Sequence, residues 1–91
     1  MSVEISRTGI EVFQSTAHAD GDLLIWTIYD HPKDFPDDYV VRPHSTKLEK
    51  PMPVHFRHEQ LAYVRRALRR LGLVCIARSP GDDPCILESW L

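Results

Sequence analysis

Along the chain, apolar residues gather in short runs set apart by polar, proline-bearing stretches. Residues 23–29 are the clearest of these. Leu24, Trp26 and Ile28 alternate with Leu23, Ile25, Thr27 and Tyr29, and because both sets are largely apolar the pattern predicts a strand in the middle of a sheet. Residues 30–38 hold Pro32 and Pro36 with Asp30, Asp34, Asp37 and Asp38, which predicts a loop. A second strand is expected over 39–42, stopped by Pro43, and an extended, exposed connection over 45–56, where Pro51 and Pro53 fall. From about His58 to Leu71 the period changes. Leu61, Val64, Leu68 and Leu71 form one stripe of an amphipathic helix, with Gly72 as its left-handed stop.

Residues 73–77 and 85–91 then read as a closing hairpin centred on Gly81-Asp82, with Cys75 opposite Glu88 and Cys85 opposite Arg78. In that register the two thiols point to opposite faces, so both are expected to stay free. Residues 1–20 alternate only weakly, at Val3-Glu4-Ile5 and again at Ile10-Glu11-Val12-Phe13, with a turn at Thr8-Gly9 and a polar loop over 15–22. The order is β-β-α-β-β, or the same order preceded by one N-terminal strand. The expected fold class is α+β, a mainly antiparallel sheet with one amphipathic helix packed on it. Leu24, Trp26, Ile28, Leu61, Val64, Leu68, Ile76 and Leu87 should form the core.

Ninety-one residues suit one domain, and 43% hydrophobic with 26% charged residues is a globular composition. Unbroken apolar runs such as 23–26 are far too short to span a membrane, and the chain reads as cytoplasmic. The net charge of −2 excludes a molecule that is basic overall and binds nucleic acid by bulk electrostatics. That small total hides a division. Residues 1–40 carry eight acidic against two basic residues, and residues 41–71 the reverse. The two parts can neutralise each other within one chain or across a dimer.

The stretch from Trp26 to Arg42, with Tyr29-Asp30-His31-Pro32 closing one strand and Tyr39-Val40-Val41-Arg42 opening the next, resembles small bacterial proteins to which no function is assigned. The segments Arg78-Ser79-Pro80-Gly81-Asp82-Asp83-Pro84 and Glu88-Ser89-Trp90-Leu91 are similar to the ends of the same sequences. The resemblance covers about half of the chain and implies a bacterial origin, with no catalytic residue carried over.

Candidate chemistry lies in two places. Asp30, His31 and Asp34 crowd the loop after the central strand, and Arg42 and His44 could face them from the second strand, as an anion or metal site would require. The plainer reading, an arginine pinning an acidic loop, is preferred. His18, His31, His44, His55 and His58 are scattered, and their spacing makes no zinc motif, so neither a metal nor another cofactor is expected. The second place is the helix, where Arg65, Arg66, Arg69 and Arg70 could meet phosphates. A solvated or self-paired face is preferred there too. The sequence therefore reads as a small binding or interaction module whose partner is another protein or a second copy of itself. Nucleic-acid binding through the four arginines is the alternative, and an enzyme at the Asp/His loop a third.

Overall fold

The computed structural model describes residues 2–78 and 81–91, so the predicted turn over 78–84 lies partly outside the described residues. The chain runs β1 (Val3–Glu4), α1 (Arg7–Ala19), β2 (Leu24–Asp30), β3 (Tyr39–Ser45), β4 (Lys50–Pro51), β5 (Val54–His58), α2 (Leu61–Arg69), β6 (Cys75–Ala77) and β7 (Ile86–Trp90). Among the described residues the strands form one sheet in the order β1-β5-β3-β2-β7-β6, with the short β4 added beside β3. Every pairing is antiparallel except that of β1 with β5. The α+β class is as expected, but the order differs, with two helices and more strands than the sequence pattern suggested. The Cα radius of gyration, 12.2 Å, is that of one compact body of this length.

Strand β2 holds the middle of the sheet, paired with β3 from Leu24↔Ser45 to Asp30↔Tyr39 and with β7 on its other side. Leu24, Trp26 and Ile28 point to the face that both helices cover. There they join Val41, Phe56 and Trp90 of the sheet and Ile10, Ala17, Val64, Ala67 and Leu68 of the helices. Of the expected core, Leu61 and Leu87 are only partly buried and pack at its margin. Ile76 is not in the core at all. It is 46% exposed, because β6 is the sheet's edge and Ile76 pairs with Ser89 on the face away from the helices.

Five further expectations are corrected. Residues 7–19 form a helix rather than strand and loop. Ile10, Phe13 and Ala17 make a narrow stripe at i, i+3 and i+7, and Ser6 caps the first turn by accepting a 3.1 Å hydrogen bond from the Gly9 N–H. A side chain at Gly9 would place its Cβ 2.9 Å from Cβ of Ile5, so this turn needs a glycine. Pro43 does not end β3. It falls between the β5 pairing, which ends at Val41, and the β4 pairing, which begins at His44, so its missing N–H withdraws no ladder bond.

The connection over 45–56 contains β4 and most of β5, and Val54, His55 and Phe56 are buried. Helix α2 starts at Leu61, three residues later than expected, because residues up to His58 remain in β5. Gly72 does provide the left-handed stop, at φ +78°. The hairpin register is displaced by two residues, placing Cys75 against Trp90 and Ala77 against Glu88. Both cysteines are free thiols, Cys75 donating to Oε2 of Glu88 and Cys85 to the backbone carbonyl of Asp30. No helix among the described residues is long and apolar enough to cross a membrane.

Candidate functional site

On the face of the sheet opposite the helices, residues 31–38 lie over part of β3 and β5. Phe35 lies 4.9 Å from the His55 ring, and the Arg57 guanidinium stacks over Phe35 at 4.8 Å. Arg57 also bridges Glu4 at 2.6 Å and Asp38 at 2.7 Å. Arg42 bonds Asp34 at 2.6 Å while its guanidinium sits 5.1 Å from the centre of the Tyr29 ring. The arginine therefore pins the acidic loop, the arrangement preferred from the sequence. Of the other residues proposed there, Asp30 and His31 bond each other at the end of the sheet, and His31 meets Tyr39 edge-on at 4.7 Å. His44 is exposed, two residues beyond Arg42 on the same face. No three His, Cys, Asp or Glu side chains among the described residues are grouped to hold a metal ion.

His55, which the sequence offered only as one of five scattered histidines, is 4% exposed beneath this cover. Its Nδ1 shares a 2.8 Å hydrogen bond with Ser2 Oγ, and its Nε2 has no partner among the described residues. Burial depresses its pKa below the ordinary histidine value, and the positive charges of Arg42 and Arg57 push the same way against Glu4 and Asp34. A histidine kept neutral in the fold but protonated in the unfolded chain removes stability as pH drops. Its contribution is complete above about pH 6.5 and is lost as pH falls through the depressed folded value. An NMR titration should place the His55 imidazole below 6.5, and His55→Gln should lessen the fall in thermal midpoint on acidification. A His55 midpoint at or above 6.5 would contradict this burial.

On the helix-covered face, Arg65, Arg66 and Arg69 of α2 and Arg70 at its C-cap divide. Arg65 reaches Glu88 of β7 through Nη2 at 2.6 Å and Nε at 3.2 Å. Arg69 lies with its guanidinium 5.8 Å from the centre of the Trp90 ring. Arg66, Arg69 and Arg70 are all exposed. The partner expected for this face was the acidic first part of the chain, but Glu4, Asp34 and Asp38 are taken by Arg42 and Arg57, and Glu88 near the C-terminus pairs with Arg65. Glu88 also accepts from Trp90 Nε1 at 2.8 Å and Cys75 Sγ at 3.4 Å. Burial alone would raise its pKa, but the bonds from Arg65, Trp90 and Cys75 outweigh that and hold the carboxyl below its ordinary range. The Cys75 thiol is pushed up, first by burial and then by Glu88, so it is a poor nucleophile.

Beyond Cys75 lies the feature that the sequence did not reveal as a surface. Among the described residues, strand β6 pairs on one side only, with β7. The N–H and C=O of Val74 bond Leu91 of the neighbouring segment, at 2.9 and 3.1 Å. Backbone groups alternate in direction along an antiparallel strand, so those of Ile76 turn the same way and those of Cys75 and Ala77 turn outward, to the free edge. Val74 is 67% and Leu91 37% exposed, beside the exposed Ile76. The run Leu73-Val74-Cys75-Ile76-Ala77 reads as interior because it carries no charge, and its edge position follows only from the strand order. A separate cleft of about 220 Å³ lies between α1 and the segment that leads into β4, lined by Phe13, Ala17, Leu24, Leu48 and Met52. The polar groups at its rim bond one another. Asp22 accepts from Ser45 Oγ at 2.6 Å and from the Lys47 N–H at 3.0 Å, and Lys47 Nζ donates to the Asp20 carbonyl. No protein family, curated protein or solved structure matches the chain.

Proposed function

We propose that this protein is a small, non-catalytic interaction module that recruits an extended protein segment to the free edge of β6, beside the arginine-bearing end of α2. The observation that carries the reading is the apolar, unpaired edge itself. Two outward N–H donors and two outward carbonyls, flanked by exposed Val74 and Ile76, form a template for an added strand. Natural edge strands are commonly blunted by charge, proline or a bulge, and residues 74–77 carry no charged residue or proline. The side chains best suited to chemistry support binding rather than catalysis, since they bond each other. Cys75 and Arg65 converge on Glu88, Arg42 holds Asp34, and Arg57 holds Glu4 and Asp38.

Nucleic-acid binding draws less support. Arg65 is taken by Glu88 and Arg69 lies over the Trp90 ring, which leaves Arg66 and Arg70 as the exposed arginines with no such contact among the described residues. The test is selection from a displayed library of unstructured peptides. Binders should be lost on Ile76→Lys, which sets a charge on the edge without entering the core, with affinity falling at least about tenfold, or roughly 1.4 kcal/mol. Peptides whose binding Ile76→Lys leaves unchanged would overturn the reading.

A further inference from the structure

We infer that the segment that occupies this edge is β6 of a second copy of the chain, joined antiparallel about a two-fold axis through Ile76. The inference rests on the interaction reading above and names its partner. Because Cys75 and Ala77 turn their backbone groups outward, an antiparallel copy centred on Ile76 sets Cys75 of one chain opposite Ala77 of the other, twice, as hydrogen-bonded pairs. Ile76 then meets its own equivalent in the closer, non-hydrogen-bonded pair, with Cα atoms about 4.5 Å apart. A residue on a two-fold axis contacts itself, so a charge there would repel its mate. Here it is an isoleucine with nearly half its surface exposed. One position further out, Val74 lies beside Arg78 of the second copy, so no like charges face each other across β6.

Charge at the two ends of the strand points to the same partner. Strand β6 is preceded by the basic end of α2, with Arg66, Arg69 and Arg70, and is followed by Arg78, whose guanidinium folds back onto the Asp82 carbonyl at 3.0 Å, and then by Asp82 and Asp83, which leave residues 78–83 with a net negative charge. Antiparallel pairing lays the acidic end of each copy toward the basic end of the other, so the complementarity occurs twice. An unrelated peptide would have to supply acids of its own, whereas a second copy carries them on the segment that follows β6.

Sedimentation equilibrium of the full chain over a concentration series tests this. The expected mass at high concentration is twice the 10.5 kDa of one chain, halved by Ile76→Lys. Arg70→Glu should weaken the dimer several-fold, and adding Asp83→Arg should restore it. Circular dichroism checks that each variant is folded. For register, Ile76→Cys in a Cys75→Ser, Cys85→Ser background should oxidise to a disulfide-linked dimer, since a Cα separation of about 4.5 Å lies within disulfide range.

A one-chain mass at every concentration would overturn the inference, as would a dimer that Ile76→Lys leaves intact. A one-chain mass together with library peptides that still compete at β6 removes the second copy but keeps the interaction module. Peptide binding indifferent to Ile76→Lys removes the module as well.

Discussion

Trp26→Ala should cost about 3–5 kcal/mol of folding stability, the range for deleting a fully buried large aromatic side chain. Trp26 has no exposed surface, sits in the middle of β2 and lies between Pro43 and Trp90 in the cross-strand register. Its indole Nε1 donates to Gln14 Oε1 at 2.8 Å, which ties the sheet to α1. Domains of this size are stable by about 5–15 kcal/mol in total, so the variant should lose a large share of its stability. Trp26→Phe keeps most of the apolar volume and gives up the hydrogen bond and part of the ring, so it should cost distinctly less than alanine. Urea titration followed by circular dichroism checks both, with the midpoint falling while the slope stays constant. A loss under about 1 kcal/mol for alanine would mean that α1 and β2 do not pack as described.

Glu88→Ala should cost about 2–3 kcal/mol, and the reason is the company the carboxylate keeps. Arg65 is 38% exposed and can turn to water when its partner is gone, so the ion pair itself contributes little. The larger effect comes from Trp90 Nε1, which is buried and would lose its acceptor; an unsatisfied buried polar group costs about 1–3 kcal/mol. Loss of the buried side-chain stem adds to this. Glu88→Gln retains an acceptor for the indole and should cost less.

Sign and pH follow from the lowered carboxyl. The contribution of Glu88 is complete above its unfolded-state value and is lost as pH falls through the lower folded value, so the wild-type advantage over Glu88→Gln should shrink in acid. A second readout is chemical. Without the carboxylate, Arg65 and Arg69 are left to favour the Cys75 thiolate, and Cys75 should alkylate faster in Glu88→Gln than in the wild type. Equal alkylation rates would show that Glu88 does not govern the thiol.

Several elements were legible from the residues in order. The two-sided apolar alternation over 23–29 placed β2 in the middle of the sheet, and the stripe Val64, Leu68 with its margin at Leu61 and Leu71 placed α2 and its buried face. The pin between Arg42 and Asp34 was legible as well, because an acidic loop next to a strand with an arginine leaves few other outcomes. These features are local, in that periodicity and neighbouring charge can be read within a dozen residues.

What only the tertiary structure decided depends on partners far apart in the chain. Helix α1 has too narrow a stripe to announce itself, and its apolar residues are buried only in a core shared with the sheet and α2. Pro43 is tolerated in a strand because two other strands happen to leave a gap beside it. His55 is hidden by a loop that begins 24 residues earlier in the chain. Arg65, Cys75, Glu88 and Trp90 meet only because the hairpin register and the path of α2 bring them together. The apolar run at β6 is the same string of residues in a sheet interior or at its edge. Strand order, which no local pattern encodes, turned Ile76 from an expected core residue into the centre of an open edge.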